Sequence, residues 1–175
     1  MKTLYILRHA HSESQETVLS DFDRPLDEQG REEAEAVAHY LQRTGLQFDF
    51  VMCSAALRTQ ETLELLRPAI GTKSIELSES FYNISEDKIL ANLKRISDEM
   101  NKVLYIGHNP GVAFAILKLA TSFPDFLFEG VKPATLVGLQ FPIDSWENLD
   151  WREGQIWDVF QPSLATTEDL SPENL

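Results

Sequence analysis

Short apolar runs alternate with amphipathic stretches along most of the chain. Residues 3–7 are apolar on both faces of an extended chain, which is the pattern of a central strand in a parallel sheet. Residues 49–53 and 102–107 repeat this pattern, and residues 74–77 predict a shorter strand. We therefore expect these four segments to share one mostly parallel sheet.

Helical signals separate the predicted strands. Asp27 can cap a helix with apolar residues at i, i+3, i+4 and i+7, and Gly45 is placed to end it in a left-handed conformation. Ser54 can cap a second helix, which Pro68 is expected to stop at about Arg67. The other two helices are predicted at about 85–100 and 110–121, the latter capped by Asn109 with Pro110 at its first position.

The pattern changes after residue 121. Residues 134–141 and 155–160 predict two strands without a helix between them, which suggests an antiparallel edge. Strands that alternate with helices predict an α/β fold, a three-layer α/β/α sandwich with a mostly parallel central sheet. We expect one domain at 1–164, followed by a polar tail at 165–175.

Composition narrows the classes of partner. The 175 residues are 43% hydrophobic and 25% charged, which is enough for one domain with a sizeable core. The formal net charge of −13 opposes nucleic-acid binding. No apolar run approaches the ~20 residues of a membrane span, and the stretch before Arg8 is too short for a signal peptide. Cys53 is the single cysteine, so we expect no disulfide and a cytoplasmic protein.

Polar side chains follow three of the predicted strands. Arg8 and His9 come directly after the first strand, Ser54 and Arg58 after the second, and His108 after the strand at 102–107. Ligands of parallel sheets bind beyond the carboxyl ends of the strands, so we expect these side chains to collect at one edge. Two arginines and two histidines that converge form an anion site, because guanidinium groups match phosphoryl oxygens.

Phosphoryl transfer suits this set of side chains. A neutral imidazole can attack phosphorus in line and carry the phosphoryl group on nitrogen, and neighbouring cations favour the neutral ring. The reaction needs mostly positioning and charge neutralisation, so we expect neither a metal nor another cofactor. We predict that His9 is the nucleophile, that Arg8 helps to hold the phosphoryl group, and that His108 stabilises its developing charge.

Four motifs occur along the chain in a fixed order. They are Leu7-Arg8-His9-Ala10, Asp23-Arg24-Pro25-Leu26 followed by Gly30, Ser54-Ala55-Ala56-Leu57-Arg58-Thr59-Gln60-Glu61-Thr62, and Gly107-His108-Asn109-Pro110-Gly111. Together they resemble the motifs of the histidine phosphatase superfamily, whose members share a phosphoglycerate mutase-like fold. The usual third residue of the first motif is glycine, and Ala10 in its place resembles the SixA-type phosphohistidine phosphatase branch. The resemblance covers about residues 3–164.

The resemblance implies a role for each motif residue. His9 would carry the phosphoryl group in a covalent intermediate. The other implied members of the phosphate pocket are Arg8, Arg58 and His108, and the implied substrate-binding residues are Arg24, Ser54 and Asn109. Many members of the family take their general acid from a glutamate after the third strand, where this chain has Glu79, so Glu79 is the catalytic acid that we expect. Asp21, Asp23 or water could serve instead.

The favoured substrate is phosphohistidine on a protein, such as a phosphorelay or phosphotransfer domain. Between Arg58 and His108 the sequence has room only for a short strand and one helix, so we expect an open site without a long lid. An open site suits a phosphate on a protein surface, and it also suits a small phosphoester. A small-molecule phosphomonoesterase and a non-catalytic phosphate-binding module therefore stay open as alternatives.

A metal hydrolase is the rival enzyme class. His9 and His11 have the spacing of a metal-binding pair, and Asp21 and Asp23 are nearby carboxylates. However, the barrel folds that use such a pair after their first strand need ~250 residues. The pair also leaves the two arginines unexplained. Cys53 at a strand end is most simply a buried small residue.

Overall fold

The computed structural model describes residues 1–123 and 125–162. Within these ranges the strands are β1 (Lys2–Arg8), β2 (Phe50–Ser54), β3 (Ile75–Ser78), β4 (Lys102–Gly107), β5 (Leu136–Phe141) and β6 (Gln155–Phe160). The α-helices are α1 (Glu28–Thr44), α2 (Leu57–Ile70), α3 (Glu86–Leu93) and α4 (Gly111–Leu119). The predicted tail at 165–175 lies outside the described residues.

The strands form one mixed sheet in the order β3-β2-β4-β1-β5-β6. β1, β2, β3 and β4 are parallel, whereas β5 is antiparallel to both of its neighbours, β1 and β6. This confirms the mostly parallel sheet with an antiparallel edge. Arg8 of β1 pairs with Gly107 of β4, and Cys53 of β2 pairs with Ile106 of the same strand. The residues that follow these three strands therefore start at one edge of the sheet.

Helices cover both faces of the sheet. Alternate residues of β1 divide between two apolar clusters: Tyr5 and Leu7 belong to the cluster of α1 and α2, and Leu4 and Ile6 to that of α3 and α4. All four side chains are fully buried, and each such burial contributes about 1.5–3 kcal/mol. The predicted three-layer α/β/α sandwich is confirmed. No helix of the described ranges is long and apolar enough to cross a membrane.

The predicted limits are right for α1 and wrong for α2. Asp27 caps α1 by accepting the Gly30 N–H (2.8 Å), and Gly45 ends the helix with φ 65°. Pro68 does not stop α2, which continues to Ile70. Proline costs a helix one hydrogen bond, but Ile70 is fully buried and its carbonyl accepts the Phe48 N–H, so tertiary packing favours the longer helix.

The start of α2 and the end of α3 also differ from the predictions. Ala56, not Ser54, occupies the N-cap of α2, and the Ser54 hydroxyl instead accepts the Ala56 N–H from within the turn. α3 ends at Leu93 instead of near residue 100. The Met100 carbonyl accepts hydrogen bonds from Lys2 and from the Trp146 indole, so this segment is held against the start of β1.

α4 is shorter than predicted at its end, and its cap differs. Pro110 occupies the N-cap, and the Asn109 side chain donates to the Val131 carbonyl (2.9 Å) instead of capping the helix. The helix ends at Leu119 because the next residues pair with another segment. The Thr121 N–H donates to the Gly154 carbonyl (2.8 Å), which keeps residue 121 out of the helix.

Candidate active site

His9 follows β1 directly and is buried at the carboxyl edge of the sheet, with 6% of its surface exposed. Its backbone N–H donates to the Gly107 carbonyl (3.1 Å), which fixes it beside β4. Ring nitrogen Nδ1 lies 2.7 Å from the Ala10 carbonyl oxygen. A carbonyl only accepts hydrogen bonds, so Nδ1 carries the proton and Nε2 keeps its lone pair. That lone pair accepts the Nε–H of Arg58 at 3.3 Å.

Burial and charge keep both site histidines neutral. Burial is the main cause that lowers the pKa of His9 well below its usual range, and the nearby Arg58 and Arg8 charges act in the same direction. Burial, followed by the charge of Arg58, lowers the pKa of His108 to about 3. The two rings lie close together, with centroids 5.2 Å apart. A neutral imidazole with an unprotonated Nε2 is the form that can attack phosphorus.

Arg58 is the second residue of α2, so the turn after β2 delivers its side chain to the sheet edge. The residue is almost fully buried, with 2% exposed. Its Nε–H donates to His9, and its two terminal nitrogens donate to Asp21, one to the carbonyl (2.6 Å) and one to carboxylate oxygen Oδ2 (3.0 Å). All three guanidinium nitrogens are therefore held, which fixes the orientation of the fork.

Two further arginines border the same space. Arg8 ends β1, and its terminal nitrogen donates to the Val131 carbonyl (2.7 Å). A terminal nitrogen of Arg24 lies 3.5 Å from the Asp21 carboxylate, and the Arg24 side chain is 22% exposed. Burial first, and then the charges of Arg24 and Arg58, lower the pKa of Arg8, although the Glu33 carboxylate acts against this. The part of this effect that comes from Arg24 and Arg58 shows that the three cations lie close together, as an anion site requires.

His108 comes directly after β4 and faces Ser54 at the end of β2. Its Nε2 lies 2.8 Å from the Ser54 hydroxyl oxygen. The next residue, Asn109, is anchored through its side-chain amide to the Val131 carbonyl, which also accepts the hydrogen bond from Arg8. The structure therefore brings together the predicted set at the edge of the sheet. That set consists of Arg8, His9, Arg24, Ser54, Arg58, His108 and Asn109.

Five buried side-chain atoms of the described residues lack hydrogen-bond partners, and all five lie in or beside this site. They are Nε of Arg8, Nε of Arg24, Nδ1 of His108, Oδ1 of Asn109 and Oγ1 of Thr135. Thr135 borders the site because its carbonyl accepts the Arg8 N–H (3.2 Å). A buried polar group without a partner costs about 1–3 kcal/mol. The unpaired arginine donors are suited to the oxygens of a phosphoryl group.

Tyr82 is a site residue that the sequence reasoning missed. Its hydroxyl donates to Oδ2 of Asp21 (2.5 Å), and its ring packs edge-on against His108 with centroids 5.4 Å apart. The Arg58 guanidinium lies 5.8 Å from the centre of the same ring. No motif contains Tyr82, and the only cue was its position three residues after Glu79. The sequence predicts Asp21 as an alternative general acid, and its contact with Arg58 is a finding of the structure.

The predicted general acid, Glu79, is not brought into contact with the site. It begins a short 3-10 helix after β3, where its side chain is exposed. Among the hydrogen bonds and ion pairs of the described residues, none involves the Glu79 carboxylate. Asp23 is exposed as well. Asp21 is thus the one of these three carboxylates that contacts the arginines.

His11 and Cys53 lie apart from the chemistry assigned to His9. Nδ1 of His11 lies 2.5 Å from the carboxylate of Asp27, the N-cap residue of α1, and the His11 side chain is 43% exposed. Cys53 is fully buried, as predicted, and burial raises the pKa of its thiol. Within residues 1–123 and 125–162 no group of three or more histidine, cysteine or acidic residues could hold a metal ion.

Comparisons with known sequences agree with this geometry. Residues 4–109 match the model of the histidine phosphatase superfamily (branch 1). The chain is 30% identical over 120 residues to an uncharacterised chloroplastic protein of Arabidopsis thaliana, a match that covers 63% of this chain and 55% of that protein. It is also 30% identical over 105 residues to an uncharacterised protein of Mycobacterium leprae, with 59% and 63% covered. The chain thus spans somewhat over half the length of these relatives.

Solved structures with the same fold cover nearly the whole chain. A candidate phosphohistidine phosphatase SixA from Nakamurella multipartitia has a TM-score of 0.80 at 25% identity, with 94% of this chain and 97% of that chain covered. A second candidate SixA, from Agrobacterium tumefaciens, has a TM-score of 0.78 at 24% identity, with 92% and 98% covered. A protein histidine phosphatase SixA in complex with tungstate has a TM-score of 0.72 at 21% identity, with 92% and 97% covered.

Proposed function

Because this chain belongs to the histidine phosphatase superfamily (branch 1) and has the fold of its SixA-type members, we propose that it hydrolyses a phosphorylated substrate through a phosphohistidine intermediate on His9. One observation carries the proposal. The Nε2 lone pair of His9 is free of a proton and lies beside the Nε–H of Arg58, while Nδ1 is held by the Ala10 carbonyl. The attacking atom and a charged donor for the transferred group are therefore adjacent.

In the first step, Nε2 of His9 attacks phosphorus. The new N–P bond forms as the bond to the leaving group breaks, and the leaving group takes up a proton from water or, when it is a poor leaving group, from the proposed acid Glu79. The Arg58 Nε–H, which now contacts Nε2, is positioned to contact a phosphoryl oxygen once phosphorus is bonded to that nitrogen. Arg8, Arg24 and neutral His108 supply further donors, and such donors act where negative charge develops.

In the second step, water attacks the phosphorus of phospho-His9. The N–P bond breaks, inorganic phosphate leaves, and His9 returns to its neutral form with Nε2 unprotonated. The hydrogen bond from Nδ1 to the Ala10 carbonyl can persist through both steps, because only Nε2 changes its partner. The same positive charge neutralises both transition states, so we propose that no metal is needed.

The favoured substrate is phosphohistidine on a protein. The imidazole of phosphohistidine leaves readily when protonated, so this reaction needs less help from a general acid than ester hydrolysis. The exposed Glu79, which makes no contact with the site, is consistent with such a substrate. The similarity to a candidate phosphohistidine phosphatase SixA supports it as well. Glu79 remains the proposed acid for substrates with poor leaving groups, and Ser54 and Asn109 remain proposed substrate contacts.

A small-molecule phosphomonoesterase is the second candidate. Structures with the same fold at lower identity include a phosphoserine phosphatase from Entamoeba histolytica, with a TM-score of 0.63 at 14% identity. The test is a substrate comparison with His9→Ala as the blank. We expect phosphate release from a histidine-phosphorylated phosphotransfer domain to exceed that from phosphoserine in kcat/KM. The opposite order would favour the phosphoesterase, and saturable phosphate binding without any release would favour a binding module.

A further inference from the structure

The hydrogen bonds that begin at His9 continue beyond Arg58 to two more residues. Arg58 donates through Nε to His9 and through both terminal nitrogens to Asp21. The carboxylate oxygen that Arg58 contacts also accepts the hydroxyl of Tyr82. A continuous chain therefore joins the attacking nitrogen of His9 to Arg58, Asp21 and Tyr82.

We propose that Asp21 and Tyr82 form a positioning pair that holds the Arg58 guanidinium against the attacking nitrogen of His9, and that Asp21 stays ionised instead of acting as the general acid. The inference rests on the proposed phosphorylation of His9, since Arg58 has to be in place for both steps at that nitrogen. It adds two residues, both outside the four motifs, to the account of how the site works.

The contacts of Asp21 fit a holder of Arg58. A long arginine side chain has many rotamers, and a carboxylate that takes a terminal N–H together with a neighbouring carbonyl selects one of them. Asp21 supplies both acceptors from one residue of a short 3-10 helix, Asp21–Asp23. Its other oxygen pairs with Arg24 at 3.5 Å. The carboxylate thus lies between two of the three arginines and reduces their mutual repulsion.

The contacts of Tyr82 fit a brace for the same group. Its ring lies edge-on to His108 and 5.8 Å from the Arg58 guanidinium. Phe22 also packs edge-on with this ring, with centroids 5.1 Å apart, and restricts its orientation. Tyr82 therefore links the segment after β3 to the 3-10 helix that carries Asp21. A hydroxyl that donates to a carboxylate favours the ionised form of that carboxylate.

The charge state of Asp21 supports the same assignment. Partial burial acts to raise the pKa of Asp21, but the hydrogen bond from Tyr82 and the charges of Arg58 and Arg24 outweigh it and lower the pKa. An ionised carboxylate has no proton to give to a leaving group. A carboxylate with three contacts from donors and cations is suited to hold those groups in place.

The test compares Asp21→Asn and Tyr82→Phe with two matched controls. Asp49→Asn alters a carboxylate that accepts two backbone N–H groups at the opposite end of the sheet, and Tyr40→Phe removes a hydroxyl that bonds Asp158. The substrates are phosphoramidate, p-nitrophenyl phosphate and phenyl phosphate, whose leaving groups differ in basicity. Single-turnover hydrolysis of phospho-His9 is measured as well. Circular dichroism confirms that each variant is folded.

For Asp21→Asn we expect kcat to fall by about 10–100-fold for every substrate, without a rise in KM, and phospho-His9 to be hydrolysed more slowly by a similar factor. Removal of the anion leaves the arginines more cationic, which favours phosphate binding while the alignment of Arg58 is lost. Tyr82→Phe keeps the ring and is expected to lower kcat by about 3–10-fold. Both controls should retain the wild-type kcat.

Three results would overturn the inference. A loss in Asp21→Asn that grows with the basicity of the leaving group, and disappears for p-nitrophenyl phosphate, would make Asp21 the general acid. If both site variants kept wild-type rates and phospho-His9 still formed, the positioning role would be refuted while the proposed function would stand. Absence of phospho-His9 in the wild type would instead overturn the proposed function, and the inference with it.

Discussion

Replacement of Arg58 by lysine tests how much the orientation of the guanidinium contributes. Arg58 holds three contacts at once: His9 Nε2 at 3.3 Å, and the carbonyl and carboxylate of Asp21 at 2.6 and 3.0 Å. Lysine keeps the positive charge, but it is a point donor on a flexible stem and cannot reproduce the planar fork. Arg58→Lys therefore removes the directed donor beside the attacking nitrogen while it preserves most of the net charge.

The expected loss follows from the number of directed donors removed. Loss of one preorganised donor to the charge of a transition state typically lowers kcat by about 10²–10³, or about 3–4 kcal/mol. We expect that reduction for Arg58→Lys, with KM changed only a few-fold, because the charge that attracts the substrate remains. Steady-state kinetics with phosphoramidate and p-nitrophenyl phosphate measure both parameters.

The matched control is Arg67→Lys on the same helix. Arg67 is 48% exposed and pairs with Glu64 on the surface, so its replacement should leave kcat unchanged. A kcat for Arg58→Lys within about threefold of the wild type would refute the reasoning, because charge alone would then suffice. A tenfold rise in KM with unchanged kcat would also refute it, since Arg58 would then only bind the substrate.

Three further predictions concern pH, the general acid and metals. Burial lowers the pKa of His108 to about 3 in the folded protein, against about 6.5 in the unfolded chain, so the unfolded chain binds more protons between these values and stability falls as the pH is lowered through that window. Between pH 8 and 5 His108 should therefore cost about 2 kcal/mol in urea unfolding. The loss should be smaller by that amount in His108→Asn and unchanged in the exposed His39→Asn. Glu79→Gln should leave the hydrolysis of phosphohistidine nearly unchanged and lower the rate with phenyl phosphate by ~10²–10⁴. A variant that hydrolyses phenyl phosphate as fast as the wild type would show that Glu79 is not the acid. Dialysis against EDTA should leave kcat unchanged, whereas a loss restored by a divalent ion would favour a metal hydrolase.

Much of the fold could be predicted because its signals are local. β1, β2 and β4 are apolar on both faces, and a strand of that kind is buried on both sides of a parallel sheet. α1 begins after the capping residue Asp27 and ends at Gly45 in a left-handed conformation, as these residue types predict. Arg8, His9, Arg58 and His108 lie together because parallel strands deliver the residues that follow them to one edge.

The failures have tertiary causes. Pro68 lies inside α2 because burial of Ile70 outweighs the lost backbone hydrogen bond. Asn109 does not cap α4 because its side-chain amide donates to the carbonyl of Val131, which lies in a distant segment of the chain. Tyr82 contacts Asp21 across 61 positions of sequence, and neither periodicity nor a motif encodes such a contact.

The central claim is that His9 carries the phosphoryl group, and trapping of the phosphoenzyme tests it most directly. The protein is incubated with ³²P-labelled phosphoramidate, quenched in base, and compared with His9→Ala. We predict a labelled protein adduct that survives base, is lost in acid and maps to His9, and that does not form in the variant. An adduct that survives acid, or one that persists in His9→Ala, would contradict the account.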